Sequence, residues 1–107
     1  MAAIRNIREF TVAISNKLME SNWEFTSSYS RLTGMTFLLG SELQGYKTSL
    51  NIIPDASTPN FLCQVILNNH LYKVFSYDTE NRDIVSYLKD ILEFLEKIRD
   101  CDIEINL

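Results

Sequence analysis

At 107 residues the chain has room for one domain, residues 1–107, and with 46% hydrophobic and 22% charged residues its composition is globular, not disordered. Its formal net charge of −4 leaves no basic footprint for nucleic acid and no attraction to an anionic membrane surface. Two distant cysteines, Cys63 and Cys101, make no disulfide framework. MAAIRNIREF has no uninterrupted apolar h-region, and no run approaches the ~20 apolar residues of a membrane span, so the expected location is cytoplasmic.

Ile4, Ile7, Ile14 and Leu18, with Thr11 between them, recur at helical spacing and predict an amphipathic helix over 3–20. Phe10 and Met19 widen its stripe, Arg5 and Glu9 form an i,i+4 pair, and Ser21-Asn22 ends it. From Trp23 the period changes to two. Trp23, Phe25, Ser27 and Tyr29 alternate with Glu24, Thr26, Ser28 and Ser30 as a first strand. Gly34 turns the chain into a second strand, MTFLL (35–39), and Gln44-Gly45 turns it again into a third, YKTSLNII (46–53). Pro54 and Pro59 frame a loop, PDASTPN.

FLCQVIL (61–67) and HLYKVFSY (70–77) are joined by Asn68-Asn69. Asn is the non-glycine residue that best tolerates the positive φ values a type I′ turn requires, so the pair predicts a tight hairpin. With Leu67 opposite His70, an unbroken ladder sets Val65 against Tyr72, Cys63 against Val74 and Phe61 against Ser76. Leu62, Ile66, Leu71, Phe75 and a Gln64–Lys73 pair then take the other face. Both faces of this hairpin are apolar, which predicts that something covers each of them: chain, second copy or partner.

The last predicted helix carries Ile84, Leu88, Ile91, Leu95 and Ile98, broadened by Val85, Tyr87, Leu92 and Phe94. Beyond it Cys101, Ile103, Ile105 and Leu107 alternate with polar residues as a short strand or extended tail. The expected fold is α+β: an N-terminal helix, about five mostly antiparallel strands in meander order, and a long C-terminal helix with a short extended tail, both helices on one sheet face as a two-layer sandwich.

Chemistry-bearing residues are sparse. His70 is the sole histidine. In the expected register Cys63 lies four strand positions from the site opposite it, about 13 Å away. A thiol and its base must approach to ~2.6–3.2 Å, so a Cys–His dyad is excluded. One His and two scattered Cys cannot make a zinc site. Asp78, Glu80 and Asp83 resemble a calcium loop but lack its glycine and closing glutamate, and together with Asn81 they read as helix-capping residues. The glycines follow no phosphate-binding spacing. No enzymatic activity, cofactor or metal is expected.

Charge is distributed unevenly. Residues 78–107 hold nine acids (Asp78, Glu80, Asp83, Asp90, Glu93, Glu96, Asp100, Asp102, Glu104) against four bases, while residues 1–77 hold five acids and six bases. Asp100, Asp102 and Glu104 follow a helix C-terminus, where the dipole disfavours anions, and residues set against a local preference point to an outside partner. The expectation is a small acidic protein-binding inhibitor, immunity- or antitoxin-like, that neutralises a basic, nuclease-type toxin by direct binding. Asp90, Glu93, Glu96, Asp100, Asp102 and Glu104 would meet the partner, with an exposed aromatic, Tyr87 or Trp23, as anchor. The alternative is a homodimeric acidic chaperone or adaptor for a secreted or effector protein. A third is a small-molecule or catalytic pocket between sheet and helices.

Overall fold

The computed structural model describes residues 7–31, 34–54, 61–77 and 83–107. Helix α1 (Ile7–Glu20) precedes strands β1 (Phe25–Ser30), β2 (Gly34–Leu39), β3 (Thr48–Pro54), β4 (Phe61–Leu67) and β5 (His70–Tyr77), and helix α2 (Ile84–Arg99) follows them. Every neighbouring pair is antiparallel and the spatial order is the sequence order, β1-β2-β3-β4-β5. The expected α+β meander is the observed fold. The expectations for Ile4, Arg5 and its pair with Glu9, residues 55–60 of the proline-framed loop, and Asp78, Glu80 and Asn81 lie outside the described residues.

Both helices cover one face of the sheet. Phe10 of α1 ties the layers together: its ring lies 5.3 Å from Phe61 of β4, 5.3 Å from Tyr77 of β5 and 5.5 Å from Tyr87 of α2. Around this cluster Ile14, Leu18, Phe37, Leu50, Ile52, Val65, Leu67, Ile91, Leu95 and Ile98 are buried. Each deep apolar side chain contributes about 1.5–3 kcal/mol through water exclusion, so this one continuous core holds the domain without disulfides.

The helices end alike. Asn22 and Cys101 adopt left-handed backbone (φ 63° and 61°). The next amides then reach back, Trp23 N–H to Leu18 C=O (3.0 Å) and Asp102 N–H to Lys97 C=O (2.8 Å), closing the last turn. At its other end α2 is capped by Asp83, whose carboxylate accepts from the Val85 amide.

Three sequence boundaries are corrected. Trp23 is not in β1, because the α1 end-cap uses its amide. Tyr46 precedes β3: it bonds in both directions with Leu43 and closes the turn at Gln44 and Gly45, both at positive φ. Pro54 closes β3, opposite Phe61. Of the strand or extended tail expected after α2, the structure has the tail: Gln44 Nε2 donates to the Ile98 and Ile103 carbonyls (2.8 and 2.7 Å), and Ile105 is buried.

The largest correction concerns hairpin register. Leu67 faces His70 as expected, but a bulge between Val65 and Ile66 admits Tyr72 as an extra residue on β5. Beyond it Val65 faces Lys73, Gln64 faces Val74, Cys63 faces Phe75 and Phe61 faces Tyr77. One added residue moves every later side chain to the other face. Phe75 therefore joins the helix side, Val74 leaves it, and no Gln64–Lys73 pair exists. Tyr72 and Lys73 both end on the helix side: Tyr72 stacks on Phe94 of α2 at 6.0 Å, and the Lys73 ammonium sits 5.6 Å over Phe75 and 5.8 Å over Phe94.

Candidate interaction surface

The sheet face turned away from the helices follows from the strand pairing. One row across it reads Thr26, Leu38, Ser49, Ile66, Leu71, and the middle row reads Ser28, Thr36, Asn51, Gln64, Val74. A third carries Ile53, Leu62 and Ser76, with Ser30 opposite Gly34 at the β1 end. None of these fifteen residues is charged, although at the chain's overall 22% about three would be.

The middle row is internally bonded. Thr36 Oγ1 donates to Asn51 Oδ1 at 3.0 Å, and Asn51 Nδ2 donates to Gln64 Oε1 at 3.3 Å. Apolar side chains flank that ladder, with Leu71, Leu38 and Val74 57%, 45% and 42% exposed, and Leu62, Ile66 and Ile53 half-buried. Charge begins at the rim, where Glu42 and Lys47 share a shallow cleft with Thr26 and Leu38. An apolar centre with a charged rim is the anatomy of protein–protein contact.

The acidic residues are arranged differently from expectation. Within α2, Asp90, Glu93 and Glu96 are matched in number by Lys89, Lys97 and Arg99. Lys89 approaches Glu93 at 3.8 Å and Arg99 Nε lies 3.1 Å from Asp100, which caps the helix. The helix itself therefore carries no net charge, and the basic residues of its last turn suit its dipole. Asp102 and Glu104 are exposed beyond it, with no ion-pair partner among the described residues.

Neither proposed anchor is exposed. Tyr87 is 1% exposed and donates its hydroxyl to the Phe75 carbonyl at 2.6 Å, because the α2 stripe is wide enough to carry it into the core. Trp23 packs against the core with the Arg99 guanidinium 5.2 Å over its ring. Its indole N–H is buried without a partner among the described residues.

Among the described residues chemical groups are not gathered into one site. Cys63 is buried, and burial pushes its thiol far above the ordinary range, into the unreactive neutral form. His70 is exposed at the sheet rim, four strand positions away. Among the described residues no group of three or more His, Cys, Asp or Glu could hold a metal ion. A groove of about 500 Å³ between α1 and the β1–β2 end is lined, among the described residues, by Arg8, Thr11, Val12, Tyr29 and Met35. Among the described residues no helix is long and apolar enough to cross a membrane.

The signal for the open face lay in the hairpin, where both phases of the strand period are apolar. What the sequence did not reveal was Leu38 and the Thr36–Asn51–Gln64 ladder, which come together only through pairing across β2, β3 and β4. Comparison of the chain with protein-family models, with curated proteins and with solved structures gives no match in any of the three.

Proposed function

We propose that this protein works by binding another protein, and that the open sheet face is the surface that binds. The observation that carries this reading is the absence of charge from the fifteen described residues of a five-stranded face on a molecule of net charge −4. A face meant only to meet water gains solubility from Lys and Glu; this one instead exposes Leu38, Leu71 and Val74 around a bonded polar row. A photo-crosslinking residue placed at Leu71 or Val74, in cells, should trap a protein adduct. The same residue at Val85, an exposed apolar position on α2, should trap none. If the sheet positions yield no adduct, the reading fails.

A second reading, inhibition of a basic nuclease-type protein, is supported by one arrangement. Asp102 and Glu104 stand exposed and without ion-pair partners among the described residues, on a tail that Gln44 pins to the body. A basic partner steered by these groups would associate faster at low salt. Asp102→Asn with Glu104→Gln should slow that association and flatten its salt dependence, and an unchanged on-rate would remove the idea.

A further inference from the structure

We infer that the occupant of the open sheet face is a second copy of this chain, stacked face to face about a two-fold axis. The inference rests on the reading of that face as a protein-binding surface, and names its partner. Three features carry it.

The first is charge. Two copies each of net charge −4 repel wherever acidic surfaces meet. An uncharged face lets them approach with no like charges opposed at the centre, and leaves the Asp102–Glu104 tails clear of the interface.

The second is symmetry. The two-fold axis of a face-to-face pair lies in the plane between the sheets, and whether it runs along the strands or across them, the middle row falls on its own copy. Asn51, on the central strand, then meets Asn51 of the other copy near the axis. Its amide keeps one N–H beyond the hydrogen used toward Gln64, and the Gln64 amide brings two more. The polar row can therefore bond across the axis while the rows on either side, which carry Leu38, Ile66 and Leu71 on one and Ile53 and Leu62 on the other, close over their counterparts, as inner faces of aligned sheets do.

The third is size. Five strands spaced ~4.8 Å apart and six to eight residues long make a plane of roughly 600 Å², and its side-chain relief brings the accessible area close to the ~800 Å² per partner of a standard stable interface.

Sedimentation equilibrium on the purified full chain across the micromolar range tests this. The expected mass is twice 12.4 kDa. The double variant Leu71→Lys/Val74→Lys should raise the dimer dissociation constant by about 100-fold, since it buries two unpaired ammonium groups per copy in the contact. Val85→Lys should leave it unchanged. Leu38→Lys repeats the test on β2 should the double variant lose its circular-dichroism signature of folding. A wild type that stays monomeric, or a dimer indifferent to the sheet variants, overturns the inference. The crosslinking experiment separates the two levels. An adduct with a different protein at Leu71 overturns the second copy while the protein-binding reading stands, and no adduct ends both.

Discussion

The two faces of the one sheet differ sharply in burial, although their residues alternate along the same strands. On the inner face Leu50, Ile52, Cys63 and Val65 are fully buried beneath the helices. One residue along, Ser49, Asn51, Leu62 and Gln64 point the other way, only partly covered. The inner face packs the core, with Lys73 at its β5 edge; the outer face, uncharged over its fifteen paired residues, packs against neither helix. Being left unused by folding is what makes a surface available for recognition, and truncation tests this most directly. Leu50→Ala should cost ~3 kcal/mol by leaving a core cavity, whereas Val74→Ala, at low protein concentration, should cost under ~0.5 kcal/mol. Urea midpoints at constant slope measure both, and equal losses would dissolve the distinction.

A pH series sharpens the contrast from the inner side. Burial raises the Cys63 thiol above its ordinary value of 9.0. The folded chain keeps that proton when the unfolded chain has lost it, so the stability contribution is intact below pH 9.0 and declines above it. The expected decline is ~1.4 kcal/mol per pH unit; it should be absent from Cys63→Ala and therefore appear in full in the wild-type-minus-variant difference. A slope that the substitution leaves in place would mean that the thiol reaches water.

A smaller effect is expected where the helix layer meets β5. Tyr87→Phe removes the hydroxyl that donates to the Phe75 carbonyl at 2.6 Å and leaves that oxygen part-buried. The expected loss is ~1–1.5 kcal/mol in thermal or urea unfolding, with no change in any surface interaction. If Tyr87 were the exposed anchor that its helix position suggested, the order would reverse, with binding weakened and stability untouched.

Most of the architecture was legible because local rules and tertiary burial agree. The period changes from helical to two at the α1 end, Asn68-Asn69 supplies a turn that only left-handed backbone can make, and Ile84 to Ile98 repeat at spacings of four and three. The bulge was not legible. Nothing in KVFSY distinguishes a regular strand from one shifted by a residue; the choice depends on Phe94, far along the chain, offering a ring for Tyr72 to stack on and Lys73 to cover. For the same reason Phe75 was assigned to the wrong face. Counting acids over 78–107 captured the excess but blurred its location, because the balance within α2 emerges only when the helix is separated from its flanks. Tyr87 was misread since a wide apolar stripe does not say where its buried edge lies.

The hairpin turn offers the finest test, because it closes the two strands that present both faces. Asn68 and Asn69 both hold left-handed backbone, at φ 49° and 67°, but they are not equivalent. Asn68 is tied to the neighbouring strand's approach: its Oδ1 accepts from the Lys47 amide at 2.7 Å, and its own amide donates to the Lys47 carbonyl at 2.8 Å. Asn69 is exposed and its side chain makes no such tie. Asn69→Gly should therefore relieve the left-handed backbone cost and stabilise by ~0.5 kcal/mol. Asn68→Gly relieves the same cost but forfeits the Lys47 amide's acceptor, for a net loss of ~0.5–1 kcal/mol. Urea unfolding of the two variants side by side decides whether turn geometry alone sets this hairpin, in which case both glycines stabilise, or whether β3 holds it through Asn68, in which case they part in sign.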